Sequence, residues 1–243
     1  MIIVQISDIH AAPNNDNLSR LARILMWLDC IDVKVLVITG DLIDDDWTEG
    51  YEQIAALLKN KNYAILILPG NSDHPALMRA VIKSPYWHDD VEPLHFAADF
   101  DAVRLIGLDT TLPDSAVGSL TEHLPWLEKS LSAEGPATSI VFMHHHIFPS
   151  GIPTLDQIMC RDAAKLEACL RTHPRKPVAL SSGHVHRPVA GIFSGIPAYI
   201  CGSVCPANPV WFGSEKVPPV TDSSSFMLHC FTDGTLVSHF INF

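Results

Sequence analysis

Short apolar runs rich in β-branched residues punctuate the chain, and polar or helix-period segments separate them. Runs at 2–7 (IIVQIS), 33–39 (VKVLVIT), 63–68 (YAILIL), 102–108 (AVRLIGL), 139–143 (SIVFM) and 178–182 (VALSS) have the length and composition of buried strands. Between them, 18–29 places Leu18, Leu21, Ala22, Leu25 and Leu28 on one helical face behind Asn17, which the pattern reads as an N-cap. Segments 50–60, 75–83, 120–132 and 161–172 show the same period. Strand–helix–strand alternation predicts βαβ units and a largely parallel sheet. The last fifty residues break the alternation. Runs at 189–193, 197–201, 226–231 and 235–242 leave no room for crossover helices, so they are expected as antiparallel strands forming or joining a second sheet. The proline-rich stretch 205–225 reads as a long surface loop carrying Trp211 and Phe212.

Length adds the expectation that residues 1–243 form one domain, since the chain can bury a sizeable core. No run of about 18 apolar residues predicts a membrane span. The opening MIIVQISDIH reads as a first strand and not as an export signal. Net charge is −11 with no Lys/Arg cluster, which disfavours a nucleic-acid duplex or an anionic membrane as partner. Six cysteines lack paired metal-type spacing, Cys201 and Cys205 merely flanking Gly-Ser-Val, and read as reduced thiols of a cytoplasmic protein. Histidine is abundant, 13 residues against 16 Lys plus Arg.

Those histidines gather at strand ends. The runs terminate in SDIH, TGD, PGNSD, LDT, MHHH and SGHVH, and in an open parallel sheet ligands bind beyond the carboxyl ends of the strands. If the strands persisted, Asp8 and His10 would share a face, as would His184 and His186. Gly40 and Pro69-Gly70 let the backbone turn sharply and bring Asp41 and Asn71 inward. Mixed carboxylate, carboxamide and imidazole donors suit Mn, Fe, Zn or Co. Seven donors, Asp8, His10, Asp41, Asn71, His144, His184 and His186, exceed the needs of one ion and match a two-metal site for hydrolysing phosphate esters.

The ordered set D-x-H (8–10), G-D (40–41), G-N (70–71), H-H (144–145) and G-H-x-H (183–186) resembles the calcineurin-like metallophosphoesterase superfamily. QISDIH, LDTT at 108–111 and PWLEKSL at 125–131 resemble, more weakly, its bacterial class III cyclic-nucleotide phosphodiesterases and related glycerophosphodiesterases. The resemblance implies a four-layer α/β/β/α sandwich of two mixed sheets flanked by helices. It implies one divalent ion on Asp8, His10, Asp41 and His186, and a second on Asp41, Asn71, His144 and His184, with Asp41 bridging. The implied activity is hydrolysis of a small phosphodiester, of cyclic-nucleotide or glycerophosphodiester type, by a hydroxide shared between the ions. Rival readings are a phosphomonoesterase with the same metals, a nuclease, and a catalytically silent scaffold. A homo-oligomer is left open.

One residue departs from the pattern. The third motif of the family is usually G-N-H-[D/E], whereas this chain has Gly70-Asn71-Ser72-Asp73. The missing histidine contacts phosphate and aids the leaving group, and Asp73 stands where the family orients it. Serine can bond a phosphate oxygen but is no general acid near neutral pH. Three readings follow: His74 takes over, His145 takes over, or the acid step is weaker because the leaving group needs little help. His146, where the family commonly has proline, reads as a loop residue, and Asp109 as a structural or ligand-orienting carboxylate. Loops 112–118, 147–158 and 205–222 are expected at the pocket rim, with Trp211 as a substrate contact. His88, His95, His123, His173, His229 and His239 read as ordinary histidines.

Overall fold

The computed structural model of the chain describes residues 1–87 and 93–243. In chain order the elements are β1 (Ile2–Ile6), α1 (Asn17–Leu28), β2 (Val33–Thr39), α2 (Glu49–Leu58), β3 (Ala64–Leu68), α3 (Pro75–Ile82), β4 (Phe96–Phe100) and β5 (Val103–Leu108). After a 3-10 turn (Thr121–His123) come α4 (Leu124–Ser132), β6 (Thr138–Met143), α5 (Pro153–Asp156), α6 (Ala163–Thr172) and β7 (Ala179–Ser182). Four strands close the chain: β8 (Val189–Phe193), β9 (Ile196–Ile200), β10 (Ser225–Thr232) and β11 (Thr235–Asn242).

Two mixed sheets result, ordered β11-β10-β1-β2-β3 and β4-β5-β6-β7-β9-β8. Side-chain alternation along the strands builds four layers. Ile3, Val35, Val37, Leu66 and Leu68 of the first sheet meet Val103, Leu105, Ile140 and Phe142 of the second in one buried cluster between the sheets. The intervening residues Val4, Ile6, Leu36, Ile38 and Ile67 face outward onto Leu21, Ile24 and Leu28 of α1 and Tyr51 and Ile54 of α2. Ile106, Leu108, Val141 and Met143 likewise face Leu127 and Leu131 of α4 and Leu166 and Leu170 of α6. Strands buried on both faces explain the unbroken apolar runs.

Four expectations change. The C-terminal strands are divided between the sheets: β10 pairs antiparallel with β1, while β9 pairs antiparallel with β8 but parallel with β7. Their pairing depends on which sheet edge is free, which local turn signals do not encode. Residues 96–100 form an edge strand on β5, whose inward set Phe96, Ala98 and Phe100 is too short and too weakly apolar to stand out beside the run that follows. Segment 120–132 divides into the 3-10 turn and α4, which carries Pro125 in its first turn. Asn17 is the first residue of α1 and not its cap: its side chain donates to His10 O at 2.8 Å, anchoring the helix beneath the loop that follows β1. None of the helices among the described residues is long and apolar enough to cross a membrane.

Candidate metal centre

Asp8, Asp41, Asn71, Asp109, His144 and His184 all stand just past the carboxyl ends of parallel strands, so strand order gathers them at one edge. The strand pleat is not what aligns the D-x-H and H-x-H pairs. β1 stops at Ile6 and β7 at Ser182, and Asp8, His10, His184 and His186 lie beyond them in left-handed backbone, with φ of 55°, 49°, 72° and 57°. Asp41 (φ 52°) does the same after Gly40 (φ 91°). Non-glycine residues held there are strained by about 1–3 kcal/mol each and persist where surroundings over-determine them. Here Ile9 N and His10 N both donate to Asp41 O, Asp8 N donates to Gly40 O, and His184 N donates to both Asp8 carboxylate oxygens at 3.1 and 3.0 Å. Gly70 is required by close approach: a Cβ there would lie 2.2 Å from Asp41 Oδ1 and 2.4 Å from Asp41 N.

Two groups of donors emerge. In the first, His10 Nε2 and His186 Nε2 are 3.1 Å apart, His186 Nε2 is 3.4 Å from Asp8 Oδ1, and His10 Nε2 is 3.3 Å from Asp41 Oδ2. In the second, His144 Nε2 lies 3.1 Å from His184 Nδ1, 3.2 Å from Asn71 Oδ1 and 3.3 Å from Asp41 Oδ2. Asp41 Oδ2 thus faces both groups. Two donors each about 2.1 Å from a shared ion are separated by about 3.0–3.4 Å at octahedral or tetrahedral angles. The observed separations fit that spacing, and the oxygen and imidazole donor chemistry fits divalent ions. The surroundings also select the free nitrogen: His144 Nδ1 donates to Thr39 O at 2.7 Å, leaving the Nε2 lone pair toward the centre. His186 Nδ1 faces Cys205 Sγ at 3.3 Å, a contact that orients the ring with Nε2 toward Asp8.

Charge within the cluster is self-compensating. Burial alone would raise the Asp41 carboxyl, but the His144 charge and bonds from His10 and His144 hold it well below its usual value. Burial alone would lower His10 and His144, yet Asp41 beside them raises both to about 9. His184 falls to about 3, because it is buried and lies beside His144. Several buried carboxylates and imidazoles meeting at one point mark a functional cluster.

The residues around the missing histidine occupy different places. Ser72 N and Oγ both point at Asp41 Oδ1. Asp73 orients no imidazole; it accepts from Leu42 N, Gly70 N and Tyr51 Oη and so ties the loops after β2 and β3 together. Burial, then the Asp41 charge, raise its carboxyl to about 6. His74 stands at the start of α3 with Nε2 2.8 Å from Asp46 Oδ1, outside both donor groups. His145 is buried beside His144 and His184; its Nδ1 shares a 2.8 Å hydrogen bond with Thr110 Oγ1 and its Nε2 has no partner. His146 lies in the loop after β6 as expected, but there it is fully buried, stacked on His184 and 3.6 Å from Asp156 Oδ1. Asp109 accepts from Leu94 N and Thr111 N, a loop-tying role. His95 and His229 are buried away from the centre, and His88 lies outside the described residues.

A cleft of about 740 Å³ opens beside Asn71, Ser72 and His74, and residues Leu112–Asp114 form part of its wall. Asp44, Asp45, Asp46 and Asp114 line it, without any Lys or Arg among the lining residues. The lining itself therefore supplies no Lys or Arg charge for an anionic substrate. Trp211 lies elsewhere, lining a separate cleft of about 350 Å³ with Ile152, Leu155, Pro209 and Val217, its indole N–H donating to Ser214 O. The rim expected from 147–158 and 205–222 belongs mainly to that second cleft. Three features were missed in the sequence: the Asp44–Asp46 run directly after Gly-Asp, Tyr51 as the partner of Asp73, and Cys205 behind His186. The aspartate run was visible; the other two depend on contacts between distant segments.

Comparison with known proteins agrees with this geometry. A sequence profile described as calcineurin-like phosphoesterase matches residues 1–188. The glycerophosphodiester phosphodiesterase GpdQ of Enterobacter lignolyticus is 29% identical over 198 residues, covering 76% of this chain and 71% of that protein. The 3',5'-cyclic adenosine monophosphate phosphodiesterase CpdA of Haemophilus influenzae is 26% identical over 175 residues, 70% of this chain and 61% of that one. Among solved structures, a dimetal phosphatase from Danio rerio superposes with a TM-score of 0.76 at 14% identity, covering 100% of this chain and 96% of that one, a likeness of fold. The profile match spans most of the chain and every donor motif gathered at the strand ends, and on that ground the protein belongs to the calcineurin-like phosphoesterase family and is a hydrolase of phosphate esters.

Proposed function

We propose that this protein hydrolyses small phosphodiesters at a centre of two divalent ions. Asp8, His10, Asp41 and His186 would hold one ion, and Asp41, Asn71, His144 and His184 the other. The observation that carries the reading is the pair of donor groups with separations of 3.1–3.4 Å, meeting on Asp41 Oδ2. Preference for a diester rests on the phosphodiesterase names of the sequence relatives, and cyclic nucleotides and glycerophosphodiesters are the classes to test. Manganese, iron and zinc all suit the oxygen and imidazole donors.

When bound, two such ions supply an acidified water as nucleophile and neutralise charge building on the phosphoryl oxygens. The chain supplies position. Thr39 O and Cys205 Sγ hold the rings of His144 and His186 with Nε2 inward, and the Asp8 carboxylate pins the His184 backbone. Asn71 offers its carboxamide oxygen beside His144, leaving its N–H groups for a substrate oxygen. No imidazole stands at position 72, and His74 is engaged by Asp46. A leaving group that departs without protonation would need no imidazole at position 72 or 74.

The test uses metal-stripped protein with bis-(p-nitrophenyl) phosphate and p-nitrophenyl phosphate, with and without Mn²⁺. Metal-dependent cleavage with the diester preferred supports the reading. Monoester preference would replace it with a phosphomonoesterase.

A further inference from the structure

Position 72 is where this chain departs from its family's motif, and the structure gives the serine there an occupation. Ser72 N donates to Asp41 Oδ1 at 2.8 Å. Ser72 Oγ lies 2.9 Å from the same oxygen and 2.8 Å from Ile43 O, so its single proton is shared between a carboxylate and a carbonyl of the loop after β2. The other oxygen, Asp41 Oδ2, is 3.3 Å from both His10 Nε2 and His144 Nε2. One residue thus takes one carboxylate oxygen, and only the other remains to serve both donor groups.

Asp41 needs such a hold. Its backbone is left-handed (φ 52°), and Gly70 packs against its carboxylate without a side chain that could hydrogen-bond to it. A partial rotation about its Cβ–Cγ bond would pull the shared oxygen away from one group. A carboxylate accepting two hydrogen bonds on one oxygen resists that rotation. Among short side chains, a serine or threonine hydroxyl has the reach for this contact, whereas an imidazole places its nearest N–H farther from the backbone.

We propose that Ser72 is a positioning residue that clamps Asp41 so that a single oxygen, Oδ2, bridges the two metal sites, in place of the phosphate-contacting role the position has in the family. The proposal rests on the two-ion reading above. In this chain, position 72 contributes metal-site geometry and does not contribute leaving-group protonation.

The experiment is Mn²⁺ titration by calorimetry of metal-stripped wild type, Ser72→Ala, Ser72→Thr and Ser72→His, with thermal melts of each metal-free form. Losing an outer contact to a metal ligand typically costs about 10–100-fold in metal affinity. Ser72→Ala and Ser72→His should show that loss, and Ser72→Thr, which keeps the hydroxyl, should recover most of it. A serine that only braces the turn would lower the metal-free melting temperature and leave Mn²⁺ affinity unchanged. That result, or wild-type affinity in Ser72→His, overturns the proposal. If wild type itself binds no Mn²⁺, the two-ion reading fails first, and that outcome is visible without any variant.

Discussion

Tyr51 Oη donates a 3.0 Å hydrogen bond to Asp73 Oδ1, and His74 N donates to the same hydroxyl at 2.8 Å, so one buried phenol on α2 joins the two residues that follow Ser72. Asp73 therefore has a use that does not depend on a neighbouring histidine. Its remaining bonds, from Leu42 N and Gly70 N, fix the two loops that carry Asp41 and Asn71. Removing the hydroxyl strands a buried carboxylate with one partner fewer. Tyr51→Phe should cost about 1.5–3 kcal/mol in urea-unfolding free energy, the range for a hydrogen bond to a charged group. Unchanged stability would mean that water replaces the phenol.

Gly70 admits nothing larger. An alanine Cβ would sit 2.2 Å from Asp41 Oδ1, against atoms that are themselves hydrogen-bonded and cannot retreat freely. Gly70→Ala is expected to fold with reduced stability and to lose Mn²⁺ from both sites together, because Asp41 serves both. Metal content by atomic emission after dialysis checks this. Loss of a single equivalent would place Asp41 on one site alone.

His74 offers a contrast. Its side chain is 44% exposed and paired with Asp46, away from the donor groups. Removing a true general acid typically costs about 10²–10⁴-fold on a poor leaving group. His74→Ala should lower kcat/KM on an alkyl diester by less than that range. A loss inside it would restore His74 as the proton donor.

The metal-free protein should be pH-sensitive in a defined window. His10 and His144 are both raised to about 9, chiefly because Asp41 outweighs the effect of burial. A base whose folded pKa is raised stabilises the fold fully below its ordinary value near 6.5 and loses that stability as pH climbs through the folded value. Metal-free melting temperature should therefore fall between pH 6.5 and 9. Saturating Mn²⁺ should flatten the slope, since ions then replace protons as partners of Asp41. A flat metal-free profile would refute the imidazole–carboxylate pairing.

Cysteine reactivity gives an independent check of the loop behind His186. Burial pushes the Cys205 thiol up to about 12, whereas Cys30 is exposed. Only thiolate reacts quickly with alkylating reagents. Iodoacetamide at pH 8 should label Cys30 in the native protein and Cys205 only after unfolding, as read by peptide mass spectrometry. Early labelling of Cys205 would show that the loop opens.

Much of the fold is written in local pattern. The apolar runs at 33–39 and 139–143 become β2 and β6, because a strand buried on both faces must be apolar along its whole length. Residues 96–100 escaped that logic, since an edge strand with Asp99 exposed borrows its stability from its neighbour β5. The destination of the last four strands escaped it too.

The donor residues Asp8, His10, Asp41, Asn71, His144, His184 and His186 could be picked out from the sequence, because each follows a strand and belongs to a residue type that binds ions. Their grouping was expected from the strand-end rule and the family resemblance, but the means was not, because it is left-handed backbone at Asp8, His10, His184 and His186 and a hydrogen bond between segments 176 residues apart. Trp211 shows the same limit in reverse: an aromatic residue on a long loop suggested a substrate contact, and the fold sets it in a cleft with Ile152, Leu155 and Pro209. Sequence by itself determined the chemistry available at the strand ends, since residue type fixes what a side chain can bind. Tertiary structure decided the use of that chemistry, including a serine turned onto a carboxylate, because orientation comes from contacts that no local pattern records.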